Sequence, residues 1–148
     1  MILPITLTMA AAAALIHIWL SLRVSHLRRL NRISIGDEGN VAVRTRMRSH
    51  SNFAENVPIF LVLLALIELA VGSPVWLSAV AMVFILARIA HAFGMDRPAP
   101  NALRIGGVLL SWLVLLGFAG AAIYLSYTGE PRGRDGIYSP VRTAASAS

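Results

Sequence analysis

Four arginines, an asparagine, a glutamate and a histidine are spaced along this chain so that they could act together on one small molecule. They are Arg23, Arg48, Asn52, Glu55, Arg88, His91 and Arg104. At about 100° per residue, Arg48, Asn52 and Glu55 fall within about 60° on one face of a helix. Arg44 and Ser51 extend that stripe. Arg88 and His91 are three residues apart, so they also share a face. Several guanidinium groups in a half-buried, wet pocket favour carboxylates, which they grip through paired N–H bonds. Glu55 could hold an ammonium group, and Asn52 can donate and accept at an amide. The set suits a small anionic, peptide-like molecule.

A plain structural alternative stands beside each residue. Arg23 could snorkel to lipid headgroups. Arg48 and Glu55 could form an ion pair that only holds the fold. His91 could be a satisfied packing residue between helices. His17 and His50 read as structural, Glu68 as a residue reaching the outer interface, and Trp19, Trp76 and Trp112 as anchors or packing. Four scattered histidines and no cysteine argue against a metal site. The missing cysteine also excludes disulfides and a thiol nucleophile carried by the protein. No HExxH sequence, Walker loop or Ser/His/Asp constellation is present.

The elements that must position these residues are membrane spans. The chain has 148 residues, of which 57% are hydrophobic and 14% charged. A soluble domain is about 45–50% apolar and about 25% charged. Mean hydropathy is +0.70, more apolar side chain than a soluble interior of this size could hide. A helical span needs about 20 mostly apolar residues. Four segments qualify: Leu3–Leu22; Val57–Val71, extended by turns borrowed from the polar stretch before it; Val75–Phe93; and Ala102–Tyr127. Gly72-Ser73-Pro74 and Asp96-Arg97-Pro98-Ala99-Pro100-Asn101 supply the breaks. The first segment has no basic region ahead of it, so it reads as a retained helix rather than a cleavable leader. The expected architecture is an all-α, four-helix membrane bundle over residues 1–127, with a mobile polar tail over 128–148.

The net charge is +6 and every basic residue is arginine. Nucleic acid is rejected as a partner because the arginines sit at the ends of apolar runs, where they act as topology signals. Seven of them fill the connection between spans one and two, whereas Gly72 to Pro74 carries no charge. The positive-inside rule therefore puts the first and third connections in the cytoplasm and both termini outside. All seven candidate residues then lie toward the cytoplasmic end. A charge at mid-membrane costs roughly 2.5–3.5 kcal/mol on insertion scales, so such residues normally face the bundle interior or a wet cavity.

The stretch from Arg48 through Asn52 and Glu55 to Pro58 resembles the signature of the MAPEG family, the membrane-associated proteins in eicosanoid and glutathione metabolism. Arg88-Ile89-Ala90-His91 resembles the family's second motif, Arg104 follows His91 at the usual distance, and Gly36 to Asn40 looks like a loop of bacterial members. The resemblance covers about residues 1–127. It implies a homotrimer of four-helix subunits in a bacterial inner membrane, with glutathione as co-substrate bound between neighbouring subunits near the cytoplasmic side. By analogy Arg48, Asn52 and Glu55 bind the glutathione backbone, Arg88 and His91 support the site, and Arg23 closes it. Arg104 resembles the arginine that stabilises the glutathione thiolate. A thiol of pKa about 8.5 is only about 3% ionised at pH 7, and lowering it by two units takes about 2.7 kcal/mol, which a nearby guanidinium could provide.

Three positions depart from relatives. Ser51 stands where some carry a second arginine, Met95 where several put a tyrosine, and Ile105 where prostaglandin-synthase-like members have a serine. The departures lead away from eicosanoid synthesis and leave open general conjugation of glutathione to a lipophilic electrophile, or peroxidase chemistry. A member that binds lipid or glutathione without catalysis is the alternative. A small four-helix transporter is a third reading, which would need a membrane-embedded carboxylate, with Glu55 and Glu68 as the candidates.

Overall fold

The computed structural model describes residues 2–128. They form four helices: α1 (Pro4–Leu30), α2 (Val41–Val71), α3 (Val75–Met95) and α4 (Ala102–Thr128). All four are long and apolar enough to cross a membrane, and no strand occurs among the described residues. The expected tail lies outside the described residues except for Thr128, which ends α4.

Two helices overrun the spans read from apolar content. α1 continues eight residues past Leu22 to Leu30 and carries Arg28 and Arg29 in its last turn, where cations offset the negative end of the helix dipole. α2 starts at Val41, further back than the borrowed turns bearing Arg48, because Asn40 caps it by accepting from the N–H groups of Ala42 and Val43. The polar stretch bearing Arg48, Asn52 and Glu55 is therefore helical throughout. At 31 residues α2 is about 46 Å long, well beyond a hydrocarbon core of about 30 Å.

The connection before α2 is a tight turn. Arg32, Gly36, Glu38 and Gly39 all have positive φ. Asp37 pairs with Arg44 and accepts from the Gly39 N–H at 3.3 Å. The Arg44 hydrogen bond, helped by that N–H, holds the Asp37 carboxyl below the usual range.

Phe60 of α2, Phe84 of α3 and Phe118 of α4 stack through the core. Phe60 lies 3.9 Å from Phe84 and 5.8 Å from Phe118, between ring centroids. Around them Leu64, Ile67, Leu77 and Ala81 are buried. α1 adds Ile5, Met9, Ala13 and Leu20, a helical stripe against α2 and α3. The outward faces are apolar as well, as at Leu15, Leu22, Leu113 and Leu116. In water such a surface would be an aggregation liability, whereas a lipid bilayer solvates it.

Glu68, near the C-terminal end of α2, does not open to solvent. It is 2% exposed and accepts four hydrogen bonds, from the Ile5 N–H (2.9 Å), the Thr6 N–H (2.8 Å), the Thr6 hydroxyl (2.7 Å) and the Ser73 hydroxyl (2.6 Å). The first turn of α1 has donors without intrahelical partners. Pro4 has no N–H to satisfy, so Glu68 takes the next two. The negative carboxylate at the positive end of α1 is electrostatically matched.

Candidate functional site

Six of the seven sequence candidates gather at one end of α2, α3 and α4. Arg48, Ser51, Asn52 and Glu55 from α2, His91 and Met95 from α3, and Arg104 from α4 line a cleft of about 170 Å³. Arg88 stands behind it. α1 contributes no lining residue.

The rear of the cleft is held by neutral acceptors around a buried cation. Arg88 is 1% exposed. One of its terminal nitrogens donates to Asn52 Oδ1, and the other lies 3.4 Å from the Ser111 hydroxyl. Ser111 in turn donates to the Gly107 carbonyl at 2.7 Å. Arg88 Nε has no partner, and no carboxylate pairs with Arg88 among the described residues. With Oδ1 engaged, Asn52 keeps its Nδ2 donors for a ligand. A buried guanidinium without a counterion projects positive potential into the space in front of it.

At the front, Arg48, Glu55 and Arg104 are exposed. No ion pair among the described residues joins any of them, so Arg48 and Glu55 do not form the fold-holding pair considered above. His91 is buried, and its Nδ1 lies 3.0 Å from the Arg104 carbonyl. A carbonyl only accepts, so Nδ1 carries the hydrogen. In the neutral ring Nε2 is then a bare acceptor.

Close approach of α3 and α4 sets this geometry. A Cβ on Gly94 would lie 2.3 Å from the Arg104 backbone nitrogen, and one on Gly107 would lie 2.7 Å from both the Ala87 oxygen and the His91 nitrogen. Only glycine fits at either position.

Arg23 is placed differently from the other six. It pairs with Asp96 and lies over the Trp19 ring at 4.7 Å, and Trp19 also packs on Phe93. Asp96 further holds Arg46 at 3.6 Å. This cluster ties α1 and α2 to the end of α3, one residue from the cleft-lining Met95. Sequence reading missed Asp96, Asn101, Ser111 and the two glycines. Of these, only Asn101 carried a local signal, an Asn immediately before an apolar run. His17 and His50, read as structural, meet on the α1–α2 side with their Nε2 atoms 3.4 Å apart. Among the described residues no group of three or more metal-ligating side chains occurs.

The model of the MAPEG family matches residues 6–124. The chain belongs to the MAPEG family. Among curated proteins it is similar to the inner membrane protein YecN of two Escherichia coli strains, with 30% identity over 108 residues, covering 72% of this chain and 81% of the relative. The four apolar helices and this relationship make the chain an integral membrane protein.

Proposed function

We propose that this MAPEG protein binds glutathione in the α2–α3–α4 cleft and conjugates it to a lipophilic electrophile. The carrying observation is the buried Arg88, which has no counterion and is hydrogen-bonded to Asn52 at the rear of a cleft bearing Arg48, Glu55 and Arg104. Two arginines against one glutamate leave the cleft positive, and Arg88 adds to this. Glutathione offers the complement of two carboxylates, one ammonium, amide groups and a thiol. Arg48 and Arg104 match the anionic groups, Glu55 the ammonium and Asn52 an amide carbonyl. Arg104 stabilises the thiolate. The sulfur then forms a bond to an electrophilic carbon as the leaving group departs with its electron pair, and the thiol proton passes to water. A hydroperoxide oxygen is the second acceptor class.

The cleft holds about 170 Å³, small beside the roughly 300–1,000 Å³ of pockets that enclose drug-sized ligands. This supports a homotrimer in which a neighbouring subunit closes each site. The arginine-rich end carries the cleft, so the positive-inside rule turns it to the cytoplasm, in a bacterial inner membrane as the relatives' name suggests.

Calorimetry on purified protein in detergent tests binding, with micromolar glutathione affinity expected for wild type and a loss for Arg48→Ala and Glu55→Ala. Conjugation to chlorodinitrobenzene tests catalysis. Arg104→Ala should lower the rate at saturating glutathione by about 100-fold, the equivalent of about 2.7 kcal/mol. Met95 lines the cleft with a thioether and offers no hydroxyl, which favours binding without turnover as the second reading. Glutathione-dependent thermal stabilisation with no conjugation of any electrophile would select it.

A further inference from the structure

Arg104 is gripped by its backbone, on both sides, by side chains of the same end of the bundle. Its N–H donates to Asn101 Oδ1 at 2.9 Å, and its carbonyl accepts from His91 Nδ1 at 3.0 Å. Asn101 does more than cap α4. Its Nδ2 donates to the Gly94 carbonyl at 2.8 Å and to the Pro98 carbonyl at 3.2 Å. One carboxamide thus joins the last turn of α3, the connecting segment and the first turn of α4. At the same place Gly94 admits the Arg104 backbone so closely that even a methyl group would collide with it. The guanidinium of Arg104 is a long lever, and its reach into the cleft depends on where its Cα is held.

We propose that Asn101 is a positioning residue for Arg104, fixing through its paired oxygen and nitrogen contacts where that guanidinium stands in the cleft. The inference rests on the glutathione reading above for its consequence, and on the ligand-free geometry for its existence. A simple N-cap needs only the oxygen, and serine supplies one. The positioning role needs the second arm, the donation to Gly94, which a serine hydroxyl is too short to provide together with the cap.

The test compares wild type with Asn101→Ala and Asn101→Ser in detergent. Glutathione affinity is read by calorimetry, the pKa of the bound thiol by thiolate absorbance in the ultraviolet, and stability by Tm. Asn101→Ala should lower Tm and raise the bound-thiol pKa by about one unit, a roughly tenfold loss of thiolate well below the pKa, while affinity changes less than about threefold. Asn101→Ser should restore Tm and leave the thiol pKa raised. Recovery of both by serine, or an unchanged thiol pKa in Asn101→Ala, overturns the proposal. If wild type binds no glutathione, the functional reading falls by itself. The positioning role is then decided on the ligand-free proteins by the rate at which phenylglyoxal modifies Arg104, followed by peptide mass spectrometry with Arg97 as the internal reference. A several-fold change in both variants supports it, and an unchanged rate overturns it.

Discussion

Two buried charges sit at opposite ends of the α2–α3 pair, and their surroundings differ in kind. Glu68 is enclosed by four donors, two of them the N–H groups of α1. Every one of its contacts is internal, and its task is finished when the chain folds. Arg88 is as little exposed, but it meets only two neutral oxygens and leaves Nε without a partner. One of those oxygens belongs to a cleft residue. The contrast separates a charge fully satisfied within the fold from a charge that the fold leaves without a counterion. Solvent exposure alone would have ranked the two alike, and the partners distinguish them.

The largest effect that would sharpen this contrast is at Glu68. Glu68→Ala leaves the Ile5 and Thr6 N–H groups unsatisfied, and at about 1–3 kcal/mol for each buried donor should cost about 3 kcal/mol. Tm of the purified protein should fall, while the folded fraction keeps its glutathione affinity. Loss of affinity at equal folding would break the contrast. Next comes Gly107→Ala, whose methyl group meets backbone atoms of α3 that cannot give way. Overpacking of this kind costs about 1–3 kcal/mol, and here it should reduce both Tm and conjugation rate, because the displaced helix carries Arg104. Arg88→Met removes the cation but keeps much of the volume. A buried ion without a counterion carries an uncompensated desolvation cost, so Tm should hold or rise when it is removed. Glutathione Kd should weaken about tenfold, or about 1.4 kcal/mol. A Tm fall as large as that of Glu68→Ala would show Arg88 to be structural after all.

The smallest effect lies at the exposed turn. Arg44 lowers the Asp37 pKa below its ordinary 3.8. A carboxyl that is more acidic when folded contributes stability above its unfolded pKa, and the contribution disappears as pH falls through the lower folded value. Asp37→Asn should therefore differ slightly from wild type in Tm at neutral pH and converge with it under strongly acidic conditions.

The spacing of Arg48, Asn52 and Glu55 was legible because a helix converts intervals of three and four into one face. The four spans were legible because apolar runs and Gly/Pro breaks are local. The burial of Glu68 was not legible because three of its four donors lie 62 and 63 residues away in α1, a pairing no local window contains. How far α2 runs back into the polar stretch was not legible, since apolar content marks where lipid lies rather than where a helix begins. The Asn40 cap settles that instead. Arg23 illustrates a third limit. Its position near the cleft end was readable, but its engagement by Asp96 depends on how α1 leans on α3.

The glycine contacts between α3 and α4 also divide the bundle into parts that can and cannot slide. With backbone against backbone at Gly94 and Gly107, those two helices have no slack and behave as one plank. Among the described residues α1 packs on α2 and α3 but not on α4, tied to α2 by Arg28 on Met47 and by His17 on His50, and to the end of α3 by the Arg23–Asp96 pair and the tilted contact of Trp19 with Phe93. A bulky guest entering from the lipid would therefore meet α3 and α4 as a single wall that cannot part.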